Sequence, residues 1–151
     1  MLMLLPGGCS TKPKLNSTLR ASQRHGVKLS EVRTVPANLL KKRMVISRAE
    51  YRKALALGER VNRLRMVQIF ARSEDRLSQY PYYRILRVSK NSVYHMLGLR
   101  SGDLVMAADD YVIFDPQVFW KFVVLLQYEK SATIEIVRAG RGILFQYQFV
   151  D

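Results

Sequence analysis

Two histidines, one cysteine and a scatter of hydroxyls and carboxylates are all that this 151-residue chain offers for catalysis. A hydrolytic triad could be sought among the hydroxyls, His95 and the acid pair Asp109 and Asp110. His95, however, lies between Tyr94 and Met96 in a short apolar stretch, well before either acid. A triad is defined by geometry and not by inventory, so His95 is expected to be structural. No Cys/His spacing suits a metal, and no glycine-rich loop follows a strand to cradle a phosphate. The chain therefore reads as a non-enzyme that needs neither metal nor cofactor.

The residues with a recognisable spacing are architectural. In "NSVYHMLGLRSGD", Ser92 is placed to cap a short helix over 93–97, and Gly98 stands where a left-handed residue must close it. Leu99 then plugs the core beneath, and Gly102 allows a second turn that lets Asp103 cap the loop amides.

Charge is distributed unevenly around this motif. Residues 1–65 carry 15 Lys/Arg against 3 Asp/Glu, whereas residues 66–151 carry 10 against 9, so nearly all of the net +13 lies in the front of the chain. Such a front attracts nucleic acid, anionic lipid or an acidic protein surface. Its basic residues are interleaved with Ser, Thr and Leu and not with aromatics that could stack on bases, which weighs against nucleic acid. At the start, "MLMLLPGGCSTKPK" sets a short apolar run before Cys9. Three readings stand: a stretch resembling a bacterial lipobox with Cys9 as its lipid acceptor, the edge of a membrane helix, or an unstructured beginning. The run is too short to span a bilayer by itself.

Residues 10–45 show no sustained period and read as a basic, largely disordered linker with a short ordered piece near "GVKLSEV". Ser47 followed by Glu50 is a capping-box pattern that opens an amphipathic basic helix over about 48–63. Beyond it, "LRMVQIF" reads as a strand, "ARSEDRLSQYP" as a polar loop and "YYRILRV" as an alternating strand. "DLVMAA" is an apolar strand ended by a tight turn at Asp109-Asp110. Asp115 caps a helix begun by Pro116 and running to about Tyr128, with Phe119, Phe122 and Leu126 in the core. "ATIEIVR" and "GILFQYQFV" make a terminal hairpin.

This order, with "NSVYHMLGLRSGD" and "ATIEIVRAGRG", resembles a PDZ domain of the bacterial, circularly permuted type. The lead-in "ISRAEYRKALALGERVNRLRMVQIF", with "YYRILRVSKNSVYHMLGLRSGD" and "DPQVFWKFVVLLQ", narrows the resemblance to the C-terminal part of general secretion pathway protein C, an inner-membrane component of type II secretion systems. It covers about residues 46–151. The implied fold is α+β: a small PDZ-like barrel or sandwich of five to six strands with two helices, preceded by the amphipathic helix and the basic front. The implied organisation is an anchor remnant and linker at 1–45, the lead-in helix at 46–65 and the domain at 66–151.

The resemblance implies a peptide groove between a strand and the longer helix, mapped onto Tyr82, Tyr83, Ile85, Arg87, Phe119 and Val123, in which an extended segment adds to the sheet. Tyr82 stands where the family tends to have glycine, and Pro81 has no amide. An internal segment or a folded surface is thus expected as ligand in preference to a free carboxyl terminus. The helix "VFWKFVVLLQY" is apolar nearly all round, so Trp120, Val123 or Val124 are left either as a contact surface or to be covered by the basic helix.

The implied role is a non-catalytic interaction module in bacterial protein secretion, held in the periplasm at the inner membrane, or anchored there through a lipidated Cys9. Its partners would be a secretin, pseudopilus or platform components, or an exported substrate; homo-oligomerisation is left open. The alternatives are a regulatory PDZ module of a periplasmic protease system and a basic membrane-surface or nucleic-acid adaptor.

Overall fold

A computed structural model describes residues 26–33, 38–69 and 82–151. Cys9, Phe70 at the end of the strand expected over "LRMVQIF", and the polar loop at 71–81, including Pro81, lie outside the described residues. In chain order the elements are α1 (Leu29–Val32), β1 (Leu40–Ser47), α2 (Arg48–Ala56), β2 (Arg65–Ile69), β3 (Tyr82–Arg87), α3 (Val93–Met96), β4 (Leu104–Ala108), β5 (Tyr111–Val112) and α4 (Pro116–Leu125). A 3-10 turn (Leu126–Tyr128) extends α4, and β6 (Ser131–Arg138) and β7 (Arg141–Val150) close the chain. The strands form one sheet in the order β1-β7-β6-β4-β3-β2, with β5 hairpinned onto β4.

The first departure from the sequence reading is β1. It falls in the stretch read as linker, yet it pairs in parallel with β7 along its whole length, from Leu40 opposite Ile143 to Ser47 opposite Val150. Only Ile46 is buried; Lys41, Lys42 and Arg43 are exposed, so no hydrophobic alternation announces the strand. Backbone pairing at a sheet edge carries it, and charged side chains suit an edge.

The second departure is helix length. Ser47 caps α2 as expected, accepting from the Glu50 amide at 3.4 Å, but the helix stops at Ala56 and does not reach residue 63. Gly58, at φ +80°, turns the chain out. Asn62 then folds back, its amide donating to the Ala54 and Leu55 carbonyls at 2.9 and 3.3 Å. These carbonyls also accept from the Leu57 and Gly58 amides, each at 3.2 Å, so Asn62 reinforces a helix end that the backbone already closes.

One core gathers the sheet, α2, α3 and α4. Tyr51 of α2 is fully buried, edge-on to Phe149 at 5.3 Å between centroids, and its hydroxyl donates to the Val123 carbonyl at 2.7 Å. Arg48 donates to the Gln127 and Glu129 carbonyls at 2.7 and 2.9 Å, closing the far end of α4 and its 3-10 turn. The "SRAEY" lead-in is therefore part of the domain's packing. It covers the face of α4 that contains Val123, which resolves the all-round apolarity of that helix towards coverage at this end.

The glycine motif is tied to the terminal hairpin by a buried ion pair. Asp103 is fully buried, and its two carboxylate oxygens accept from Arg138 Nε and Nη2, each at 2.8 Å. Arg138 Nη2 also donates to the Gly98 carbonyl at 2.8 Å, and Asp103 Oδ2 accepts from the Arg100 amide at 2.8 Å. Gly98 sits at φ +78°, where a side chain is strained, and a Cβ would crowd Met44 Sδ and Phe145 Cε1 at 3.3 Å each. The Asp109-Asp110 turn adopts positive φ at both residues (46° and 69°). Asp109 is held there by the Thr133 amide, which donates to its Oδ1 at 2.7 Å.

Candidate functional site

A strand can accept an extended ligand only along an unpaired edge. β3, the strand assigned to the groove from the sequence, has none along its central residues. It pairs with β2 on one side and with β4 at Tyr83 and Arg84 on the other, and Ile85 exchanges bonds with Gly102 and Asp103. The candidate groove strand is therefore shifted by one, to β2. No described strand pairs with the outer edge of β2, where Arg65, Val67 and Gln68 are exposed.

Between β2 and the first turns of α4 lies a cleft of about 440 Å³. Met66 lines it from the strand, Leu64 from the turn just before, Tyr94 from α3, and Pro116, Gln117 and Trp120 from α4. Leu55, Gly58, Glu59, Asn62 and Arg63 close one end. That end exists because α2 stops early: the turn at Gly58 sends residues 57–64 across the mouth of the cleft instead of continuing away as helix.

Each element is fixed by a specific contact. Asp115 caps α4 by accepting from the Gln117 amide at 2.7 Å, and Pro116 occupies the first turn, where its missing amide costs nothing. Trp120 is 36% exposed and lies over Tyr94, ring centroids 6.1 Å apart, so its indole forms an apolar wall that remains accessible. Burial raises the Tyr94 hydroxyl pKa well above the ordinary phenol range, so it stays neutral. Asn62, 3% exposed, also accepts from the Val93 amide at 3.0 Å through its side-chain oxygen, joining the end of α2 to the start of α3.

The expected groove residues are dispersed. Ile85, Phe119 and Val123 are wholly buried in the core, Arg87 is exposed at the end of β3, and Tyr82 and Tyr83 are half-buried. The Tyr83 hydroxyl donates to the Phe114 carbonyl at 3.1 Å. None of these six lines the cleft. Trp120 stands out in the sequence as an unplaced apolar residue; Met66, Tyr94 and Gln117 carry no such signal, and only the fold brings them together along the cleft.

His95 is exposed, and its backbone amide donates to the Ser92 hydroxyl at 3.3 Å. Among the described residues no cluster of His, Cys, Asp and Glu could hold a metal ion, and no helix is long and apolar enough to cross a membrane.

The described sheet, the short capped helix and the edge strand facing a longer helix agree with the PDZ-like fold that the sequence motifs imply. Among solved structures the chain is similar to the PDZ domain of EpsC from Vibrio cholerae, at 19% identity and a TM-score of 0.38, over 61% of this chain and 100% of that one. A longer piece of the same domain gives 20% identity and a TM-score of 0.40 over 67% and 91%. A scan of protein-family models and a search of curated proteins return no match.

Proposed function

We propose that the chain is a non-catalytic interaction module that binds an extended protein segment in the cleft between β2 and α4, and that it serves bacterial protein secretion as a protein C-like component. The observation that carries this is a strand edge that no described strand pairs, with an apolar cleft beside it. Backbone amides and carbonyls of β2 would bond the segment, while Met66, Tyr94 and Trp120 would seat its side chains. The turn at 57–64 closes one end with Asn62 and Arg63, so the cleft suits a segment that enters from the open end. The expected partners are a secretin, pseudopilus or platform components, or an exported substrate, met in the periplasm at the inner membrane.

The test is capture of the periplasmic parts of the secretion machinery by the full chain and by Trp120→Glu. Ile85 and Val123 are fully buried, so charges there would test folding instead. With Trp120→Glu folded to the same thermal midpoint, capture should fall at least tenfold; equal capture would sink the groove reading.

A further inference from the structure

Glu135 lies on the face of β6 where burial is least expected. Ile134 and Ile136, both 0% exposed, point into the core, so strand alternation sends Glu135 to the opposite side. There it is nonetheless only 7% exposed. Its cover is the front of the chain. The Arg33 guanidinium donates to Glu135 Oε1. Leu29, 1% exposed, sits in a second small cluster with Ala107 and Val112, flanked by Tyr82 and Met106. Ala107 is the cross-strand neighbour of Glu135.

The segment is added along β5 as an extended piece before its single helical turn. Lys28 pairs antiparallel with Tyr111, the Val112 amide donates to the Val27 carbonyl at 2.8 Å, and the Leu29 amide donates to the Asp110 carbonyl at 2.6 Å. Asp110 further accepts from the Ser30 amide at 3.0 Å and from the Ser30 hydroxyl. Three anchors thus define the fit: an aliphatic side chain, the hydroxyl beside it and a cation four residues on. The seat is apolar with carboxylates at both ends, so it selects a basic segment and repels an acidic one.

We infer that this is a second strand-addition site, for extended basic segments, filled in cis by residues 27–33 and exchangeable with an external segment that carries the same three anchors. It lies apart from the β2–α4 cleft and shares no lining residue with it, so it stands or falls separately. A segment this short, outside the main core, opens at a small fraction of the free energy needed to unfold the domain. Exchange would free residues 27–33 with Lys28 and Arg33.

The probe is a fluorescent peptide of residues 26–33, titrated against the full chain and against full-length Leu29→Asp/Arg33→Glu, whose own segment no longer fits. The variant should bind at least tenfold tighter than the unaltered chain, because the native segment competes at an effective concentration of about millimolar. Adding Glu135→Gln to the variant should weaken the peptide at least tenfold. Equally weak binding by both chains, with the variant's core intact by thermal unfolding, overturns the inference. Amide exchange in the unaltered chain decides it independently: Leu29 and Val112 should exchange far faster than Ile134 and Ile136, and equal protection means the segment is not exchangeable.

Discussion

Asp103 and Arg138 show how a motif spread over 36 positions acts as one unit. A buried carboxylate is tolerable only if its charge is paired and its oxygens are bonded. Here the guanidinium fork supplies both, while its remaining bond reaches the Gly98 carbonyl at the turn. The hydrogen bonds to Asp103 raise the Arg138 pKa, outweighing the opposing effect of desolvation. Removing one partner leaves the other charge stranded, so Arg138→Ala should cost about 3–5 kcal/mol. Arg138→Lys keeps the charge but not the planar fork, and should recover only part of that. Urea unfolding of the three chains checks the order; an Arg138→Ala chain as stable as the parent would show that the turn holds without the clamp. Gly98 and Asp103 could be singled out from the sequence because turn chemistry is local. That Arg138 completes them could not, since the pair meets only when β6 returns beside β4.

At the scale of elements, the same divide decides what could be read. α4 and its Asp115-Pro116 start, α3 with its Ser92 cap, and the terminal hairpin all carry their signals within a few residues. β1 does not: its lysines and arginine are set on an exposed edge, and its strand conformation comes from β7, about a hundred residues away. "YYRILRV" alternates more clearly than "RMVQI" and so draws the groove assignment to β3, whereas edge position is a property of the whole sheet that no short stretch carries. The end of α2 was misjudged because Val61 and Leu64 continue an apolar stripe past the point where Gly58 leaves the helix. Asn62 then ties the turn back, bonding two carbonyls of α2 and the first amide of α3. Asn62→Leu keeps the volume but leaves the Val93 amide without its partner, while the Ala54 and Leu55 carbonyls keep their bonds from the Leu57 and Gly58 amides, and should cost about 1–3 kcal/mol. It should also open the closed end of the cleft, because residues 57–64 lose their tie to α3. Amide exchange at Val93 reports this, and unchanged protection there would mean that the turn is held by other contacts.

Across the whole molecule, the sheet has two edges of opposite character. β1 presents lysines and an arginine, which discourage further pairing, while β2 presents to an apolar cleft an edge that no described strand pairs. Between them the core is bound together by tyrosines whose hydroxyls reach across elements: Tyr51 joins α2 to α4, and Tyr147 joins β7 to the end of α3 through the Leu97 carbonyl at 2.6 Å. Burial raises the pKa of Tyr51, Tyr94 and Tyr147, with desolvation of the phenolate as the main cause in each. In the unfolded chain these groups ionise near pH about 10, whereas in the folded chain they keep their protons. Above that pH the unfolded state binds fewer protons than the folded state, so the free energy of unfolding falls as pH rises; below it the three contribute no pH dependence. Each tyrosine adds a slope of up to about 1.4 kcal/mol per pH unit, or about 4 for the three together. The urea midpoint should therefore be steady between pH about 7 and about 9 with respect to these groups and drop steeply above about 10. Tyr94→Phe, which removes one ionisable group, should reduce that slope by about a third. A midpoint that stays flat to high pH would show that the buried hydroxyls ionise in the folded state, which the closed packing of α2 and β7 over the core does not permit.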